Sequence, residues 1–152
     1  MSRPAPICKS STVAVSFWHE QLTKLTDFRS DAESFFVLTL DGERRLTGAH
    51  RVLSRAFGNA QRFADELLAF PFLRGPGEFL IVHSRPGAAP KFTALDIDRV
   101  SAVITAGRAR KVELLDYLIM GTPNEAHPSG YFSSRRLPPT VRRKLFPNKS
   151  HE

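Results

Sequence analysis

The sequence predicts an α/β domain, a mixed β-sheet with helices packed on its faces. Three observations predict it. Short apolar runs rich in β-formers alternate with stretches of helical periodicity, which places helices against a sheet. The first two strands are separated by Asp41-Gly42, a hairpin signal, so at least one strand pair is antiparallel. A chain of 152 residues with 41% hydrophobic residues and 12 phenylalanines can bury the core of one such domain.

The elements follow in order. Ser10 or Ser11 is placed to cap a helix running to about Leu25, with Ala14, Phe17, Trp18, Leu22 and Leu25 on one apolar face. "DFRSDAE" is a polar link. "SFFVLTLD" (34–41) is a strand, and "ERRLTGAHRVL" is its hairpin partner. "NAQRFADELLAF" (59–70) is a helix with Phe63, Leu67 and Leu68 on one side, stopped by Pro71 and the "RGPGE" turn. "FLIVH" (79–83) is a buried strand. A loop over 84–92 leads to a helix from Thr93 that carries Ile97, Val100, Val103 and Ile104 inward and ends near Gly107. "KVELLDYLIMG" (111–121) is the next strand, closed by Gly121 and Pro123. From Arg135 onward the chain is basic and proline-rich, and a loosely ordered end is expected. There is no internal repeat.

Composition narrows the partners. Lysine and arginine number 22 against 15 aspartates and glutamates, a net charge of +7, which favours anionic partners, nucleic acid first. The single cysteine, Cys8, excludes an internal disulfide and fits a reducing compartment. No apolar run approaches the length of a membrane span, and the first residues lack the apolar core of a secretory leader, so a cytoplasmic location and no membrane partner are expected.

The stretch "IVHSRPGAAPKFTALDID" (81–98) carries the chemistry. A catalytic zinc needs three protein ligands and an open position, with a general base beside the bound water. A strand end of the form H-x-H offers two ligands from one face, because alternate residues share a face, and a carboxylate on the following helix can offer the third. His83 and Asp96 have the right types for two of the three. Thr93 can present a hydroxyl to a reacting oxygen, and Glu33 is a candidate base if its strand lies beside strand 79–83. The structural alternative is simple: Thr93-Ala-Leu-Asp96 is also a capping-box start, with Asp96 complementing the helix dipole. "HPSG" at His127–Gly130 reads as a turn, and His19, His50 and His151 have no ligand spacing.

Taken together, these residues resemble the RadC-like branch of the JAB/MPN (JAMM) metalloprotease-fold family. The family pattern is Glu, then H-x-H-P, six residues, Ser, two residues, Asp. Here His83-Ser84-Arg85-Pro86 is followed by six residues (87–92), Thr93, two residues and Asp96. "ESFFVLTLDGERRL" (33–46) resembles the family's Glu-leading strand and hairpin, "VELLDYLIMG" its later strand, and "GYFSSRRLP" its closing segment, with Ser134 and Pro138 departing from the usual phenylalanine and glycine.

The resemblance implies a JAB/MPN-like three-layer arrangement over 30–137, preceded by a helical segment (1–29) and followed by a basic flexible tail (138–152). It implies Glu33 as general base, Thr93 as the hydroxyl that helps hold the tetrahedral intermediate, and His83 and Asp96 as zinc ligands. The third-ligand position is occupied by Arg85, whose protonated guanidinium offers no lone pair. Zinc is therefore expected to be weak or absent in this copy, and the domain is expected to be a degenerate module that accepts an extended peptide or protein partner by strand addition. Two alternatives stand beside it: an active zinc hydrolase cleaving a peptide or isopeptide bond, and a DNA-repair-associated accessory protein that binds nucleic acid weakly through the basic tail.

Overall fold

A computed structural model describes residues 33–52, 59–68, 77–85 and 87–146. The expected N-terminal helix, Cys8, His19, Pro71, Pro86 and His151 lie outside these residues. Five strands form one mixed sheet: β1 (Ser34–Leu40), β2 (Leu46–Val52), β3 (Gly77–Ser84), β4 (Val112–Met120) and β5 (Tyr131–Ser133), in the order β2-β1-β3-β4-β5. β1 is antiparallel to both β2 and β3, β3 and β4 run parallel, and β5 returns antiparallel to β4. Among the described residues three helices follow in chain order: α1 (Ala60–Leu67), α2 (Ala94–Ala109) and α3 (Pro139–Leu145).

The β1–β2 hairpin turns where Asp41-Gly42 predicts it. The Asp41 carboxylate accepts from the N–H groups of Glu43 and Arg45 at 2.8 and 2.9 Å, which satisfies the turn backbone from within. The parallel β3–β4 pair needs a crossover, and α2 supplies it. That crossover puts the end of β3 and the start of α2 at one end of the sheet, and the start of β4 at the other.

Two apolar clusters lie on the two sheet faces. On one, Phe35, Val37, Ile81, Tyr117 and Ile119 pack with Phe63 and Leu67 of α1, Val100 and Val103 of α2, and Leu145 after them in α3. Phe36, Leu38, Leu80, Val82, Leu118 and Met120 form the other. Along β1 the two sets alternate, as period two requires. Along β4 they do not. Phe79 pairs with Leu114 but Leu80 pairs with Asp116, so Leu115 is an extra residue, a β-bulge. The bulge rotates the rest of the strand and brings Tyr117 and Ile119 to the helix-covered face.

Of the residues expected to point inward from α2, Val100 and Val103 are fully buried, and Ile97 and Ile104 pack partly buried against the same cluster. One expectation is corrected. The stretch from Arg135 is ordered through Phe146: Ser134–Arg136 forms a 3-10 turn, α3 follows, and Leu145 and Phe146 enter the core. Pro138 and Pro139 open this helix, where a missing N–H costs nothing. Val141 and Leu145 lie four apart, a short apolar face inside a basic sequence. The closing segment is tied to β4 by Asp116, a buried carboxylate that accepts from the hydroxyls of Ser133 and Ser134.

Candidate functional site

The site lies where β1, β3 and α2 meet. Phe35 pairs with His83 and Ser34 with Ser84, so Glu33, two residues before Phe35, falls on the His83 face at the end of β3. Arg85, two residues beyond His83, falls on that face as well. The loop after β3 is stitched to the end of β4: the Arg85 N–H donates to Met120 O at 2.7 Å, and the Thr122 N–H to Ala88 O at 2.8 Å. Gly121 permits this closeness, since a Cβ there would stand 2.5 Å from Ala88 O. The loop delivers the chain to Thr93, the N-cap of α2, with Asp96 in its first turn.

The structure brings Glu33, His83, Arg85, Thr93 and Asp96 together. The Glu33 carboxylate accepts a hydrogen bond from His83 Nε2. His83 Nδ1 lies 2.9 Å from the Tyr117 hydroxyl. A proton on Nε2 leaves Nδ1 as acceptor, so Tyr117 donates to it and the imidazole is neutral. Phe35 stacks on the ring at 4.1 Å between centroids. His83 is completely buried, while the Glu33 side chain remains half-exposed.

Asp96 has its two oxygens occupied differently. Oδ2 accepts from the Thr93 N–H at 2.8 Å and from the Thr93 hydroxyl at 2.9 Å, and that hydroxyl in turn accepts the Asp96 N–H at 3.2 Å. The capping box is therefore present, and the Thr93 hydroxyl is turned toward its own helix. Oδ1 accepts from Arg85 Nη2 at 2.6 Å, with Arg99 Nη1 at 3.5 Å. Arg85 is steadied from its other side by the Lys91 carbonyl at 2.9 Å.

These contacts set the charge states. The His83 hydrogen bond holds Glu33 below the usual carboxylate range, against its partial burial. Burial would raise Asp96, but the Arg85 and Thr93 hydrogen bonds and the Arg85 charge outweigh it and bring it below the usual range. Burial depresses His83, and the hydrogen bond to Glu33 offsets this only partly. Burial pushes Tyr117 well above its ordinary value, so it stays a protonated donor.

The donor set does not fit a zinc ion. A ligand histidine needs a nitrogen lone pair facing the metal, and His83 would first have to release its hydrogen bond to Glu33 or to Tyr117. Asp96 has donors on both oxygens, and the third position holds a guanidinium. Among the described residues no group of three or more His, Cys, Asp or Glu side chains is arranged to hold a metal. His50 supplies no missing ligand: it lies opposite Val37 on β2, beyond β1 from His83. His127 belongs to a turn, its carbonyl accepting the Gly130 N–H at 3.0 Å, and Gly130 has φ +77°.

Two participants were missed in the sequence. Tyr117 reaches His83 only because of the β4 bulge, which no residue pattern announces. Arg99 sits one helical turn after Asp96, its guanidinium carbon 5.6 Å from the Phe35 ring and 5.4 Å from the Phe63 ring. Its i, i+3 spacing from Asp96 was the available signal.

A mixed sheet that places a glutamate before its first strand, a histidine at the end of its third and a Thr-x-x-Asp helix start beside them is the layout of a JAB-type α/β domain. The sequence model of the RadC-like JAB domain matches residues 8–136, and the chain belongs to that family. It is also similar to the UPF0758 protein tlr1707 of Thermosynechococcus vestitus, 27% identical over 89 residues. That match covers 59% of this chain and 36% of the relative, so the chain spans only about a third of that protein's length. No helix among the described residues is long and apolar enough to cross a membrane.

Proposed function

We propose that this chain is a catalytically degenerate JAB domain that serves as a binding module. The observation that supports it is the Arg85 guanidinium on Asp96 in the third-ligand position. A metal-hydrolase site works by polarising a bound water beside a general base. Here the geometry of such a site is kept and its centre is a fixed cation. The remaining asset of the domain is its sheet. β2 is the outer strand on one side among the described strands, and an extended peptide is the ligand class that an outer strand accepts through main-chain hydrogen bonds. Glu33 on His83 is retained for support of the ring.

The competing reading is a working zinc hydrolase that cleaves a peptide or isopeptide bond. The half-exposed Glu33 carboxylate, standing where a general base is needed, favours it. Elemental analysis of the chain purified without added zinc separates the two. The degenerate reading expects far less than one zinc per chain. Stoichiometric zinc that is lost on His83→Ala substitution would overturn it.

A further inference from the structure

At the end of the sheet remote from His83 the α2–β4 turn is basic, beside strand ends that carry Glu78 and Glu113. α2 is 16 residues long, about 24 Å from its first turn to its last. At its far end Arg108, Arg110 and Lys111 are exposed around the turn into β4, where Lys111 adopts φ 60°. α3 presents exposed Arg143 and Lys144, with Arg142 half-buried beside them. α2 and α3 contact each other, and Val112 and Leu114 share the helix-face cluster with Leu145 and Phe146. The connection is fixed: Arg135 Nε donates to Leu115 O at 2.7 Å and its guanidinium lies 3.9 Å from the Phe146 ring, while Arg142 Nη1 donates to Arg135 O at 3.3 Å. Among the described residues the five exposed cations have no acidic partner.

We propose that this face, formed jointly by the α2–β4 turn and α3, binds duplex nucleic acid through its phosphates. The choice of partner rests on what accompanies the charge. A helix that lies on a membrane inserts Trp, Phe or Leu beneath its cations, and a protein interface relies on buried aromatic anchors. This face has neither: the large exposed hydrophobic among the described residues is Leu95, in the first turn of α2 at the opposite end. Cations without apolar anchors suit a ligand that presents regularly spaced negative charge, and a phosphate backbone is such a ligand. The binding face is thus part of the folded domain. It is also separate from the His83 site and independent of its zinc status.

The test is fluorescence anisotropy of a labelled duplex of arbitrary sequence, titrated with the full chain across a series of KCl concentrations. Arg108→Gln/Arg110→Gln and Arg143→Gln/Lys144→Gln are made separately and together. All four side chains are exposed, so urea midpoints should stay at the wild-type value. Each lost phosphate contact lowers the slope of log affinity against log salt by about 0.9, so the fourfold variant should lose roughly 3.6 and each pair about half of that. Arg85→His should leave the slope unchanged. No duplex binding at low salt, an unchanged slope in the fourfold variant, or an effect confined to one pair would overturn the joint face. Binding to phosphatidylserine vesicles in preference to the duplex would overturn the choice of partner.

Discussion

The guanidinium of Arg85 lies 2.6 Å from the carboxylate of Asp96, where the spacing of the motif would put a second histidine and its metal. Arg99 approaches the same oxygen at 3.5 Å. With His83 neutral, two guanidinium charges stand against the carboxylates of Glu33 and Asp96. The charge a dication would bring is already supplied by side chains, and the site is balanced as it stands.

Arg85→Ala should destabilise the fold. Asp96 is completely buried, and removing one partner of a buried ion pair leaves its charge uncompensated, at a typical cost of about 3–5 kcal/mol. Thr93 and Arg99 still hold the carboxylate, so the lower end, about 3 kcal/mol, is expected in urea unfolding. A loss under about 0.5 kcal/mol would place the pair with solvent-screened surface bridges.

Arg85→His alone should give incomplete zinc binding. The new imidazole supplies a third donor, but Arg99 still faces Asp96 and opposes a dication. Arg85→His/Arg99→Leu should bring zinc close to one per chain and raise the thermal midpoint in added zinc, because a metal held only by the folded state stabilises it by mass action. Adding Asp96→Ala should abolish the gain. Equal zinc content in the single and double variants would remove Arg99 from the account.

Stability should fall as pH drops below about 6.5. Burial depresses His83 from its ordinary 6.5. Between that value and the lower folded one, the unfolded chain binds a proton that the folded chain refuses, so stability rises with pH across this window. His50, also depressed by burial, contributes with the same sign. Glu33 and Asp96, both held low, contribute stability that is complete above their ordinary values of 4.5 and 3.8 and is lost as pH falls through their folded ones. Urea midpoints measured from pH 8 to 5 should show a decline that His50→Gln reduces and His50→Gln/His83→Gln removes. A decline that survives the double substitution would assign it to other groups.

Much of the frame was legible because it is written in local chemistry. Asp41-Gly42 marks a hairpin turn, short continuous apolar runs of β-formers make β1 and β3, and Thr93-x-x-Asp96 starts a helix whether or not it serves a metal. The spacing from His83 to Asp96 named the residues that meet, since a strand end and the next helix start are close in any parallel crossover. By itself the sequence determined these elements, the candidate residues and the presence of a cation in a ligand position. Only the tertiary structure decided what that cation does. Which carboxylate Arg85 pairs with depends on the loop fastened to Met120 and Gly121, contacts between residues some 35 positions apart. Tyr117 faces His83 because a bulge at Leu115 reverses the phase of β4, and Arg135–Phe146 is ordered because Leu145 and Phe146 find apolar partners on other elements. Periodicity reports which side chains share a face of their own element; it carries no record of a one-residue slip or of the surface a distant segment will cover.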